Sequence, residues 1–452
     1  MAADRPSARP GKARLLLFAF GDFAFNLHWQ SVMLFLLFYY SDALSLPMGV
    51  AATTYLVASV WDGIANFGAG LLIDRHQHRL DYGRLLALGA IPLGASFVLA
   101  YLPPPVGGAL GVAFVLACHL LFRTAYAIVN VGYLAMSARI SPDPEDRALV
   151  AGARMLSGSA AAVVVALGTL PIGRRLWGGG DDAHAFFAAA MVFAAASIAI
   201  LLLVGMTYRE TVESPARPVP SLAALFSLWR NRAFVTLIAA MVAMIVAVTM
   251  INKSVLYLFK YLANDADAGQ LTLAAMALVS AISIPMFMLV SRVTGLRRLW
   301  LATAGVGIVL LFLFAALNLH RAGPLQLFLI AMQVMIVGLN FVFWAMLPNT
   351  IEYGERETGT HVEAAVFGMA ALVQRVGIGI ATAIFGWSFT AAGYVANVRQ
   401  EAATMAGMRA AVIIVPLAFL ALSCVAMALN PLGGRLRTAP GKPPRLAGGE
   451  NG

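Results

Sequence analysis

The chain has 452 residues, 61% hydrophobic and only 12% charged, with a mean hydropathy of +0.82. That composition falls outside the range of water-soluble globular chains and is that of an all-α protein with many membrane spans. The formal charge of +10 does not point to nucleic acid, because the basic residues are scattered over loops with no aromatic-interleaved patch, and two cysteines in apolar runs, Cys118 and Cys424, give no disulfide framework or metal cluster.

Runs of about 18 or more mostly apolar residues predict a helix each. Twelve are found, over 15–40, 48–74, 85–102, 109–138, 148–172, 184–206, 233–262, 269–291, 299–318, 325–348, 363–392 and 408–429. The first is too long for a signal peptide, carries Asp22 and His28, and has no small-residue cleavage site, so it is expected to stay in the mature protein. The stretches 1–14 and 430–452, rich in Pro, Gly and Arg, are expected to be flexible tails. The longest polar break, 207–232, divides the chain into two six-helix bundles, 15–206 and 233–429. An even number of spans puts both ends on one side. Of the 31 Lys and Arg, 21 fall in the tails and loops of that side and 4 on the other, which predicts cytoplasmic termini in a bacterial inner membrane.

The polar residues inside these spans are few and patterned. On helix one, Asp22, Asn26 and Trp29 fall at i, i+4 and i+7 and share a face, while His28 lies off it as a hydrogen-bonded packing residue. Helix two repeats the motif with Asp62 and Asn66, preceded by Trp61. Asp62 is the only charge in 49–73, and a charge near the centre of a membrane helix costs about 2.5–3.5 kcal/mol on insertion scales. Such a residue faces a polar cavity, or is paired with an arginine to lock helices together. Helix four carries Arg123, Tyr126 and Asn130, helix five Arg154, helix seven Lys253 and Lys260, and helix eleven Gln374 and Arg375. For Arg123 and Lys260, near helix ends, snorkelling toward the interface is an equal reading. No GxxxxGK[ST] phosphate loop and no nucleophile–base constellation occurs, which argues against ATP-driven transport and against an enzyme.

After helix two the chain reads GAGLLIDRHQHRLDYGR, with Gly70, Asp74, Arg75 and Arg84 in the order of the major facilitator superfamily's loop signature, and a basic turn recurs after helix eight. In this reading Asp74 caps a neighbouring helix end while the arginines meet carbonyls or acids, latching the bundles together on the cytoplasmic side.

Through GDFAFN, VWDGIAN, Arg147 and Arg154, NKSVLYLFKY and FWAMLPNTIEYGE, the chain resembles the glycoside, pentoside and hexuronide cation symporters, the melibiose permease group. The resemblance implies a major facilitator fold, sugar or glycoside uptake coupled to Na+, Li+ or H+, a monomer in the bilayer, and no cofactor. Asp62 matches the family's first cation-site aspartate, but Ala65, Asn66 and Ala127 stand where the family has further oxygen ligands. Hard cations need several such ligands, so the expected coupling ion is H+ rather than Na+, with Asp62, Asn66 and Asp22 as the coupling residues. The family's two sugar-gripping acids correspond to Asn26 and Asn130 and its stacking tryptophan on helix four to Leu134, whereas its cationic positions are kept as Arg154 and Arg375. With Trp29, Gln374 and Lys253 these make a substrate pocket shifted toward anions such as uronates or sulfated sugars, while the asparagines, which donate and accept, also suit neutral glycosides. An uncoupled sugar facilitator and a lysolipid transporter are the alternatives.

Overall fold

The computed structural model describes residues 11–433 except 77–80, 138, 142, 179–181, 210–227, 318, 320 and 359–362. Within these residues the chain forms twelve long helices and no strand. They are α1 Lys12–Phe38, α2 Met48–His76, α3 Tyr82–Ala100, α4 Gly108–Ser137, α5 Pro144–Trp177, α6 Asp182–Thr207, α7 Arg232–Tyr257, α8 Ala266–Thr294, α9 Leu296–Ala316, α10 Ala322–Thr358, α11 Glu363–Ala391 and α12 Ala402–Ala428. In a bilayer core every backbone N–H and C=O must be satisfied within the protein, and a helix does this within one segment. Eleven of the twelve are long and apolar enough to span. The other, α1, is diluted by Asp22, Asn26, His28 and Gln30 but is as long as its neighbours, at 27 residues.

The predicted spans match these helices closely; α5 overruns its span of 148–172 by four residues at the start and five at the end, and two further ends differ. Helix α10 continues ten residues past the predicted end, through Pro348 and the polar run NTIEYGERET, and α12 starts at Ala402, six residues early. Hydropathy marks where the apolar stretch ends, whereas backbone hydrogen bonding continues into water. Of the linker expected over 207–232, Thr207 closes α6 and Arg232 opens α7. The remainder from 210 to 227, like the tails 1–10 and 434–452, lies outside the described residues.

The helices form two repeating halves. Helix α1 packs on α5 and α6, α2 on α4, and α3 on α4 and α6; in the second half α7 packs on α11 and α12, α8 on α10, and α9 on α10 and α12. The repeat extends to backbone detail: α1 and α7 each end in a five-residue π-helical turn, Tyr39–Ala43 and Leu258–Leu262, followed by a non-glycine residue at φ 53°, Ser45 and Asn264. The halves meet chiefly through α2 against α11 and α5 against α8. The start of α1 and the end of α12 lie at one end, against the end of α6 and the start of α7; the α1–α2, α7–α8 and α11–α12 connections lie at the other, here called the distal end.

Candidate functional site

Asp62, 1% exposed, sits where α2, α4 and α11 converge. Its Oδ1 accepts from Asn66 Nδ2 at 3.0 Å, one turn along α2. Its Oδ2 accepts from Arg123 Nη1 of α4 at 3.4 Å and from Arg375 Nη1 of α11. Of the two readings for Asp62, the structure shows the pairing with arginine, and one of its partners comes from the other half of the molecule. Arg123 is not snorkelling, since it is 2% exposed and its Nε donates to His119 Nε2 at 3.1 Å. That bond leaves the His119 proton on Nδ1, which lies 3.1 Å from the Tyr40 hydroxyl. Trp29 of α1 lies between the two guanidiniums, with Arg123 5.2 Å and Arg375 5.3 Å from its ring centre.

A second pair lies on α1 and α5. Arg154 donates through Nε at 3.1 Å and Nη2 at 2.9 Å to Asp22 Oδ1, and through Nη1 to Ser137 at 2.9 Å. Asn26 Nδ2 donates to Asp22 Oδ2 at 3.0 Å, and Gln30 donates to Asn26 Oδ1 at 3.4 Å. Gly158 leaves room for this pair, because a Cβ there would stand 3.1 Å from Asn26 Nδ2. The shared face predicted for α1 is thus real, with Asp22 and Asn26 joined to α5 and Trp29 reaching α4 and α11. Asn130 is nearly buried and Gln374 half-buried, and neither has a hydrogen-bond partner among the described residues. Lys253 of α7 is buried toward the distal side, donating to the Met33 carbonyl of α1 at 2.6 Å with its Nζ 4.5 Å from the Tyr55 ring centre. His28 is a packing residue against Phe97 and Phe122, but contrary to expectation neither ring nitrogen has a hydrogen-bond partner among the described residues.

The distal end holds a constellation that sequence reading missed. Asp42, in the π-helical turn after α1, accepts on Oδ1 from Lys260 at 2.7 Å and Tyr261 at 2.6 Å, and on Oδ2 from Ser41 and Tyr394, both at 2.7 Å. Asn397 bridges the Asp42 carbonyl and Lys260, each at 2.7 Å. Lys260 is therefore an ion-pair partner and not a snorkelling residue. Burial, then the Asp42 carboxylate, pushes the Tyr394 hydroxyl above the usual phenol range, so it remains a donor. Every one of these donors apart from Ser41 belongs to the second half.

Packing along α2 and α11 shows where the halves are shut. At the distal side the helices touch: a Cβ on Gly386 would stand 2.1 Å from Ala52 Cβ, and one on Gly379 2.6 Å from Ser59 Cβ. Just beyond Asp62, Gly63 still meets Leu372 at 2.8 Å. Toward the termini, Gly68 and Gly70 of α2 and Gly368 of α11 have no such neighbour within 4 Å. Among the described residues α2 and α11 are thus closed on each other distally and open toward the other end, with the Asp62 and Asp22 pairs at the boundary.

At that open end the expected latch is only partly visible. The Asp74 side chain lies outside the described residues, Arg75 is exposed on the last turn of α2, and Gly70 faces open space. Arg84 pairs locally with Asp81 at 3.2 Å, and Asp81 caps α3 by accepting from the Arg84 backbone N–H. The carboxylate seen capping α3 is thus Asp81.

Residues 17–434 match the family described as MFS/sugar transport protein. The chain is 25% identical over 418 residues to the isoprimeverose transporter of Lactiplantibacillus pentosus, covering 91% of this chain and 86% of that protein. It is 26% identical to the glucuronide carrier protein homolog of Escherichia coli (strain K12), covering 92% and 91%. Among solved structures, the D-xylose-proton symporter superimposes with a TM-score of 0.65 at 14% identity, covering 92% of this chain and 96% of that one, which establishes the shared fold.

Proposed function

The chain belongs to the MFS/sugar transport protein family, and from that premise we propose that it carries an anionic sugar of uronate type by alternating access, together with a proton. It is an integral membrane transporter, not an enzyme. The observation that carries the substrate class is the charge at the boundary between the closed and open ends. Asp22 and Asp62 are there outnumbered by Arg123, Arg154 and Arg375. A carboxylated solute would balance that excess, and guanidinium forks bind carboxylates with directionality. The glucuronide carrier homolog among the relatives supports the same class.

The donors around Asp62 bear on the coupling ion. Two guanidiniums and an amide N–H group face the carboxylate. These are hydrogen-bond donors, two of them cationic, in place of the oxygen ligands a hard cation needs. A proton, unlike a hard cation, requires no cage of oxygen ligands. With cytoplasmic termini the open end faces the cytoplasm, and we read the protein as an inward-facing monomer of the bacterial inner membrane.

Proteoliposome uptake tests this. Labelled glucuronate should accumulate under an inside-alkaline pH gradient more than a neutral methyl glucoside does. Uptake of neutral glycoside alone would overturn the anionic reading, and uptake of glucuronate that only equilibrates would make the protein a facilitator.

A further inference from the structure

The two guanidiniums on Asp62 are not equivalent. Arg123 is wholly buried and committed, with Nη1 on Asp62, Nε on His119 and its face on Trp29. Arg375 is 21% exposed, and its one hydrogen bond among the described residues runs through Nη1 to Asp62. Nε and Nη2 of its fork remain to donate. Arg154, the other exposed arginine, differs again: Nε, Nη1 and Nη2 all have partners in Asp22 and Ser137. A carboxylate entering from the open end therefore finds unsatisfied guanidinium N–H groups on Arg375, beside a carboxylate already in place.

We infer that Asp62 is a built-in competitor of the substrate's acid group: the empty carrier fills the Arg375 site with its own carboxylate, and a sugar acid binds by replacing it. This rests on the anionic-substrate reading above and adds a role for Asp62 that a proton-carrying residue does not need. The displaced tie is also the ion pair that joins α2 to α11 beside the boundary, so ligand binding alters a link between the halves directly. A neutral glycoside has no group to replace the carboxylate and leaves the tie intact. Net charge alone does not produce this behaviour, because the trio of Asp62, Arg123 and Arg375 carries one excess positive charge whether or not the tie is broken.

Calorimetric titration of the purified full chain in nanodiscs with glucuronate and with methyl glucoside separates the possibilities. Asp62→Asn removes the competitor and should tighten glucuronate about tenfold, the scale of losing one competing charge-assisted hydrogen bond, while methyl glucoside is unchanged. Asp62→Glu keeps a tethered carboxylate and should not tighten glucuronate. The double variant Asp62→Asn with Arg123→Gln keeps the trio's net charge and should still tighten glucuronate, which also covers the case in which the single variant does not fold. A wild type that binds methyl glucoside but not glucuronate overturns the anionic reading itself. A wild type that binds glucuronate, with both Asn variants binding it equally or more weakly, overturns the competition and leaves that reading standing.

Discussion

Asp62 of α2 and Arg375 of α11 are 313 residues apart in sequence and share a hydrogen bond across the two halves of the molecule. The same Asp62 oxygen also accepts from Arg123 of its own half, so one carboxylate joins an arginine of each half. Removing one partner of a buried ion pair typically costs about 3–5 kcal/mol, because the other charge is left uncompensated. A substrate group that takes over as partner avoids that cost.

Arg375→Lys keeps the charge but loses the planar fork. Binding of glucuronate should weaken by about 1–3 kcal/mol, the range for charge-assisted hydrogen bonds, and methyl glucoside should be affected far less. Titration of both ligands into wild type and variant measures the difference; equal weakening of both would make Arg375 a structural residue.

The distal seal rests on Asp42. Asp42→Ala removes the acceptor for Lys260, Tyr261, Ser41 and Tyr394 together, and should favour the distally open state by up to about 3–5 kcal/mol. Thr390 of α11 lies against Gly49 of α2, with 3.4 Å from its hydroxyl to a Cβ there. A cysteine at Thr390, in a chain with Cys118 and Cys424 changed to serine, should react faster with a polar thiol reagent when Asp42 is alanine. Unchanged reactivity would show that the α2–α11 packing alone holds this end shut.

Much of the fold was legible in the sequence, and the site only in pieces. Hydropathy gave all twelve helices because each must be apolar along its lipid-facing length, and helical spacing put Asp22 and Asn26 on one face. Spacing within a helix carries no information on which helices meet, so the Asp62–Arg375 pairing across the halves was not visible. Asp42 lies just beyond the predicted end of helix one, and its partners Tyr394 and Asn397 come from a connection with no helical period to read. Lys260 looked like a snorkelling residue because its partner is contributed by the other half. The α10 extension was missed because polar residues can continue a helix that hydropathy has already ended.

Topology follows from charge. Cysteines replacing Pro10, Pro220 and Pro440 should resist an impermeant thiol reagent in intact cells, because the basic residues of that side outnumber those opposite by 21 to 4. Labelling of all three from outside would reverse the orientation and turn the open end outward.

Replacing Na+ with choline should leave glucuronate uptake by proteoliposomes unchanged, given the donors that surround Asp62. A strict Na+ requirement would place a cation site elsewhere in the molecule.

The most direct test of the account is glucuronate accumulation driven by an imposed inside-alkaline pH gradient, measured for wild type and Asp62→Asn in proteoliposomes, alongside exchange of labelled for unlabelled glucuronate with no gradient. The wild type should concentrate the sugar acid, whereas the variant should only equilibrate it while retaining exchange. An Asp62→Asn variant that accumulates glucuronate uphill as the wild type does would contradict the assignment of Asp62 as the coupling carboxylate.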